Sequence, residues 1–310
     1  MSVAVSVVVP TYRSPQTLPR LVERVCASSW FTNDSEIIVV DDGNLDSTWN
    51  VIGELARQNR RVRGFRLGRN SGQHAALLAG VRQAKNPVIV TLDDDLQNPP
   101  EEVPNLLQAL TEDVDVVYGL PTRAKQSTWR NISSVGSKVL MRYTLGFLRA
   151  TDISAFRVFR TKLRDSFDRD LGPGVSLDAL LNWATTRFAS IEVRHDARAQ
   201  GESNYNFRKL LRFMVDTATG YSTVPLRFAT SLGLVTVTLS LGILGWVLWR
   251  PLFTGESVPG FPFLAATIAI FSGVQLIVLG VLGQYIGRMH FRVMNKPTYT
   301  IADRTDRISE

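Results

Sequence analysis

Residues 87–102 read PVIVTLDDDLQNPPEE: an uncharged apolar run, three consecutive acids, then two amides and two prolines. A short run without polar alternation suits a strand covered on both faces, and prolines followed by glutamates suit the first turn of a helix. The stretch therefore predicts a strand that hands three carboxylates to the loop before a helix. Working outward, VAVSVVVPTY (3–12), EIIVVDDG (36–43) and VRGFRLGRNSGQH (62–74) repeat the unit, each ending in polar residues ahead of an amphipathic segment. Strands alternating with helices predict an α/β layer with a mainly parallel sheet. Ligands of such sheets bind beyond the carboxyl ends of the strands. Pro10 and Tyr12, Asp41 and Asp42, the GRNSGQH loop and residues 93–95 all fall at such ends. No G-x-G-x-x-G follows a strand and no G-x-x-x-x-G-K-[ST] is present, which argues against a dinucleotide or P-loop site. A nucleotide held by other means stays open.

The chain has 310 residues, 45% of them hydrophobic and 20% charged, enough for a substantial core plus an attachment. Its net charge of +7 fits nucleic acid, a phosphate-bearing substrate or an anionic membrane face, and the placement of the charge decides among them. Residues 228–249 and 261–286 hold no Asp, Glu, Lys, Arg or His. Each is long enough, at ~1.5 Å per residue, to cross ~30 Å of hydrocarbon as a helix. The connection RPLFTGESVPG (250–260) is short and rich in Pro and Gly, so 226–287 is expected to form an antiparallel hairpin. Arg208, Lys209, Arg212 and Arg227 precede it and Arg288, Arg292 and Lys296 follow. This bias places residues 1–205 and the 288–310 tail in the cytoplasm, with a lipid bilayer rather than nucleic acid as the partner. Residues 127–148 mix Trp129, Ile132, Val135 and Phe147 with Arg130, Lys138 and Arg142, the pattern of an interfacial helix, and 206–225 repeats it as a juxtamembrane amphipathic helix. Residues 3–9 lack the basic start of a secretory signal, and a single cysteine, Cys26, makes no internal disulfide.

Three adjacent carboxylates repel one another and need a compensating cation. On an extended backbone Asp93 and Asp95 point to one side, Gln97 repeats the spacing and Asp94 faces away. Hard oxygen donors of this kind suit Mg2+ or Mn2+, ions that keep several waters and also bind substrate phosphates. Asn98 is expected to cap the next helix, with Pro99 in its first turn and Glu101 and Glu102 favouring the positive end of its dipole. His74 is expected at a helix start or loop.

The stretches VVVPTY, EIIVVDDGNLDST, GRNSGQHAALLAG, LDDDLQNPPE and DISAFRVFR stand in the order and approximate spacing of inverting family-2 glycosyltransferases. The chain resembles the subgroup that transfers a sugar from a nucleotide-diphosphate sugar to a polyprenyl (dolichol or undecaprenyl) phosphate, whose bacterial integral members carry a C-terminal transmembrane hairpin. The resemblance implies a glycosyltransferase A-type (nucleotide-diphospho-sugar transferase) domain with interfacial helices and two transmembrane helices. It implies an Mg2+ or Mn2+ cofactor and a homo-oligomer in the cytoplasmic (inner) membrane. Among the residues it implies Pro10, Tyr12, Asp42, Asp93 and Asp94 at the nucleotide, and Asp93, Asp95 and Gln97 at the metal. Arg123, Arg130, Ser134 and Arg198 match positions near the phosphates, and Asp95, Arg123 and Arg130 carry the implied catalysis.

The chain departs from the family pattern at Arg13 and Ser14, where an amide and an acid are usual, at Asn204, where lysine is usual, and at Ala155, where some relatives have an acid. A phosphate monoester with a second pKa of ~6 is already largely dianionic at neutral pH, so an acceptor of this class needs no protein base and the change at Ala155 is compatible with activity. Two other readings stay open: transfer to a lipid or glycan hydroxyl, and a catalytically silent nucleotide-binding membrane scaffold.

Overall fold

The computed structural model describes residues 3–122, 153–167, 176–196, 224–254 and 260–305. The expected phosphate-binding residues Arg123, Arg130, Ser134 and Arg198, the departure at Asn204, the 127–148 helix and most of 206–225 lie outside the described residues.

Strands β1 (Val5–Thr11) and β2 (Glu36–Asp41) are buried along their whole length, as suits their largely apolar centres. β2 pairs in parallel with β3 (Val62–Leu67), and β1 in parallel with both β2 and β4 (Val88–Thr91). With β5 (Val116–Pro121), β6 (Arg157–Arg160), β7 (Phe188–Val193) and β8 (Ile301–Arg304) they form one eight-stranded sheet of order β7-β5-β6-β4-β1-β2-β3-β8. β6 runs antiparallel to both neighbours and β8 antiparallel to β3, so a parallel centre carries mixed flanks.

Helices α1 (Leu18–Ala27), α2 (Thr48–Gln58) and α4 (Val103–Ala109) cover one face, and α3 (Gln73–Gln83) and α5 (Leu177–Ala184) the other. The pleat of β1 divides its side chains accordingly: Val5, Val7 and Val9 join Leu18 and Leu21 of α1, while Val8 joins Ala76 and Ala79 of α3. Each fully buried valine or leucine among them contributes about 1.5–3 kcal/mol relative to exposure. Gly80 lets α3 approach the sheet closely, for a Cβ there would press on Val8 and stand 3.1 Å from Val40 Cγ2.

Helices α6 (Val224–Thr254) and α7 (Gly260–Val293) touch each other and extend past the expected spans at both ends. Each contains a window long and apolar enough to cross a membrane, Val224–Ile243 and Ile270–Gly287, of which 6% and 0% is buried inside the protein. Leu234 and Leu276 are each 69% exposed. Apolar surface of this extent, uncovered by the other described residues, calls for lipid as its solvent.

The segment expected only as a tail does more. α7 continues to Val293, Asn295 turns the chain with φ 50°, and residues 301–304 return as β8 on the free side of β3. Gly68 N–H donates to Thr300 O (2.9 Å), Gly64 N–H donates to Thr305 Oγ1 (2.9 Å), and Arg304 lies over the Phe65 ring. IADR is too short and too polar to announce a strand by its own pattern. The sheet edge supplies the hydrogen-bonding partners that its sequence does not advertise.

Gly80→Ala is expected to lower the thermal midpoint of the detergent-solubilised protein, followed by circular dichroism. Overpacking against β1 costs about 1–3 kcal/mol, against a gain in helix propensity of about 1 kcal/mol.

Candidate active site

On one side of β1 the strand order runs through β2 and β3, on the other through β4, and a crevice opens at this switch point beyond the carboxyl ends. The cleft holds ≈ 340 Å³. Pro10, Thr11 and Tyr12 line it from the end of β1 and just beyond, Asp42 from just past β2, Asn70 and Gly72 from the loop before α3, Gln73 and Ala76 from the start of α3, and Asp93, Asp94 and Asp95 from just past β4. Tyr12 stands half-exposed at 46%, with the Arg13 guanidinium 5.2 Å from its ring centre.

β4 ends at Thr91 and the chain turns at Asp94 and Asp95, after which Leu96 takes φ 62°. A left-handed conformation is uncommon for a bulky residue and, like φ 58° at Arg13, marks backbone held by its surroundings at a site. This turn breaks the alternation expected of an extended chain. Asp94 lines the cleft with its neighbours instead of facing away, and Gln97 does not line it. The Gln97 backbone is engaged on both sides: its N–H donates to Asp95 Oδ1 (3.1 Å) and its carbonyl accepts from Asp196 N–H (2.8 Å).

The expected helix cap is also displaced. Asn98 is buried with its Oδ1 3.3 Å from His195 Nδ1, and a short 3-10 helix (Pro100–Glu102) precedes α4. Pro100 forces an extended ψ of 128° on Pro99, so only the second proline can open the helix. Arg24 Nη2 meets Glu101 Oε2 at 2.7 Å and Trp30 Nε1 donates to Pro100 O (2.9 Å), fixing this turn against α1.

Burial is the main perturbation of the acids. It pushes the Asp93 carboxyl up to about 6, with the charge of Asp95 adding to it, and it also raises Asp42 and Asp94. Asp42 is engaged on both oxygens, accepting Ser71 N–H at Oδ1 (2.7 Å) and Gly72 N–H at Oδ2 (2.9 Å). Gly72 reaches that position with φ 93°, which a side chain would resist. Asp42 therefore ties the end of β2 to the start of α3 as well as facing the cleft.

Among the described residues no three His, Cys, Asp or Glu side chains form a ready-made cation cage. The donors present fit a different arrangement. Asp94 Oδ2 is buried without a hydrogen-bond partner, and Asp93 is held near the edge of ionisation by burial and like charge. Both are relieved by positive charge in the cleft, and Mg2+ or Mn2+ typically takes one or two carboxylates and completes its shell with water and phosphate oxygens.

Sequence reasoning passed over Gln73, whose Nε2 donates to Asp93 Oδ1 (2.7 Å), although its loop falls at a strand end. It also passed over the buried pair behind the cleft. Arg157, 1% exposed, ion-pairs with Asp178 and donates from Nε to Thr91 Oγ1 (3.1 Å), and Tyr118 OH donates to Asp178 Oδ1 (2.9 Å). The Thr91 hydroxyl in turn donates to Ala155 O (2.6 Å).

A parallel-centred sheet with mixed flanks and an acid-lined cleft at its switch point defines a glycosyltransferase A-type fold. A solved glucosyl-3-phosphoglycerate synthase from Mycobacterium tuberculosis, in complex with Mn2+, uridine diphosphate and phosphoglyceric acid, shares this fold with a TM-score of 0.53, at 17% identity over 70% of this chain and 77% of that one. Residues 6–171 match Glycosyl transferase family 2, and the chain belongs to that family. It is 35% identical over 303 residues to the undecaprenyl-phosphate 4-deoxy-4-formamido-L-arabinose transferase of Aeromonas hydrophila, covering 96% of this chain and 92% of the relative. The enzyme of the same name from Proteus mirabilis is 34% identical over 302 residues with the same coverage. The protein is a glycosyltransferase.

Asp93 gives a pH test. Its native carboxyl binds a proton up to about pH 6, above the ordinary 3.8, so between those values the native state holds a proton that the unfolded chain has released. Stability from this group is present at low pH and is lost as pH rises through about 6. In metal-free protein, Asp93→Asn is expected to raise the thermal midpoint at about pH 7.5 and to lose that advantage near about pH 4, as read by differential scanning fluorimetry.

Proposed function

We propose that the protein transfers a sugar from a nucleotide-diphosphate sugar to undecaprenyl phosphate, with inversion, at the cytoplasmic face of the inner membrane. The observation that carries this reading is the acidic ledge of Asp93, Asp94 and Asp95 sharing one cleft with Tyr12 and Asp42. Membership of the glycosyltransferase family and the names of the relatives support the acceptor.

In this reading Tyr12 and Pro10 hold the base of the donor and Asp42 its ribose, with Asp94 beside them. Asp93 and Asp95 hold Mg2+ or Mn2+, while the Gln97 backbone sets the carboxylate of Asp95. A divalent cation bound there would neutralise charge on the departing nucleoside diphosphate. An oxygen of the acceptor phosphate bonds to the anomeric carbon as the bond to the diphosphate breaks on the opposite face, which inverts the centre. The acceptor is already dianionic, so the chain positions and stabilises charge instead of removing a proton, and Ala155 needs no acid in its place. Arg123, Arg130, Ser134 and Arg198 are assigned to the phosphates, with Arg123 and Arg130 aligning the attacking oxygen.

The membrane helices support delivery of such an acceptor. Residues 294–300 link the end of α7 directly to β8 at the sheet edge, which keeps that end of the hairpin on the catalytic side. The positive residues flanking the hairpin favour the cytoplasm for that side. Largely uncovered apolar helices also suit a homo-oligomer within the bilayer.

Full-length protein given undecaprenyl phosphate, Mn2+ and a panel of radiolabelled nucleotide sugars, including the nucleotide-linked 4-deoxy-4-formamido-L-arabinose, is expected to form a chloroform-soluble labelled lipid. Asp95→Ala should reduce the rate on the order of 100-fold or more. Absence of labelled lipid across the panel overturns the reading.

A further inference from the structure

Gln73 opens α3 and reaches the acidic ledge through the 2.7 Å bond from its Nε2 to Asp93 Oδ1. Only the amide nitrogen can face a carboxylate, because the amide oxygen would add repulsion. A hydrogen bond to an ionised acceptor is stronger than a neutral one. Although Gln73 is exposed, its backbone is held on both sides. Before it, the N–H groups of Ser71 and Gly72 are tied to Asp42. After it, His74 Nδ1 accepts from Leu177 N–H at 3.4 Å, joining α3 to α5, and burial lowers the His74 pKa and so favours the neutral ring that this bond needs.

The chemistry of the side chain matters as much as its reach. Asp93, Asp94 and Asp95 share one cleft wall, so their negative charges stand together at a cost in mutual repulsion. A neutral donor offsets that cost while leaving the negative charge of the ledge intact. Lysine or arginine would hold Asp93 too, but would cancel the charge that attracts a cation.

We propose that Gln73 is a positioning residue of the ledge: by engaging Asp93 Oδ1 it leaves Oδ2 for a divalent cation and presets the site before the cation and diphosphate arrive. This inference rests on the functional reading above and adds to it a residue that contacts the ledge from a different element.

The test uses full-length protein in detergent, with Mn2+ binding followed by electron paramagnetic resonance in the presence of uridine diphosphate. Gln73→Ala is expected to weaken Mn2+ binding about tenfold, and in activity assays the loss should appear mainly as a higher Mn2+ concentration for half-maximal rate. Gln73→Lys, which keeps a donor but adds a positive charge, should weaken Mn2+ binding at least as much. In an Asp93→Asn background Gln73→Ala should add little, because the two changes remove the same interaction. Parent-like Mn2+ affinity in Gln73→Ala, or an equal loss in both backgrounds, overturns the role of Gln73. A parent protein that binds Mn2+ but transfers no sugar overturns the functional reading alone, and a parent that binds no Mn2+ with saturating uridine diphosphate overturns both.

Discussion

Mutual repulsion among the carboxylates of Asp93, Asp94 and Asp95 is the constraint around which the rest of this protein is arranged. Burial sharpens it, since charges removed from water repel more strongly and are harder to ionise. The surrounding chain answers with neutral donors placed one by one: the Gln73 amide on Asp93 and the Gln97 N–H on Asp95. None of these cancels the negative charge, so the cleft keeps its demand for a cation. The fully buried Arg157 stands behind the ledge, and its charge is matched by Asp178.

Such an arrangement needs rigid supports. The parallel centre supplies them, because β1, β2 and β4 end side by side and each is packed on both faces. Asp42 turns the same geometry into a brace, using its two oxygens to hold the first residues before α3. The left-handed backbone at Arg13 and Leu96 sits in the loops that follow β1 and β4, and contacts from Arg24 and Trp30 fix Pro100 and Glu101 just beyond the second of them.

The second constraint is solvent. α6 and α7 present apolar surface that the other described residues do not cover, and β8 joins the end of α7 to the edge of the catalytic sheet. Membrane anchor and cleft-bearing sheet are thus connected through β3, whose end leads by way of Arg69 and Asn70 to the start of α3. An acceptor confined to the bilayer is best met by a site whose distance from the membrane is restricted in this way.

Much of this was legible from residue order. Apolar runs such as residues 7–9 and 37–40 identify strands covered on both faces, uncharged runs identify the long helices, and chain connectivity places Tyr12, Asp42 and Asp93 at one end of one sheet, because these properties depend on local composition. The direction of each side chain did not follow. Alternation along an extended strand put Asp94 outside, whereas the turn at Asp94 and Asp95 and the left-handed Leu96 bring it to the cleft beside its neighbours, and consecutive prolines move the helix start past Asn98. Gln73, the Arg157–Asp178 pair and the return of residues 301–304 as β8 belong to the tertiary structure alone. Each joins residues far apart in the chain, and a polar side chain or a four-residue strand shows its purpose only when packing brings its partner within hydrogen-bonding distance.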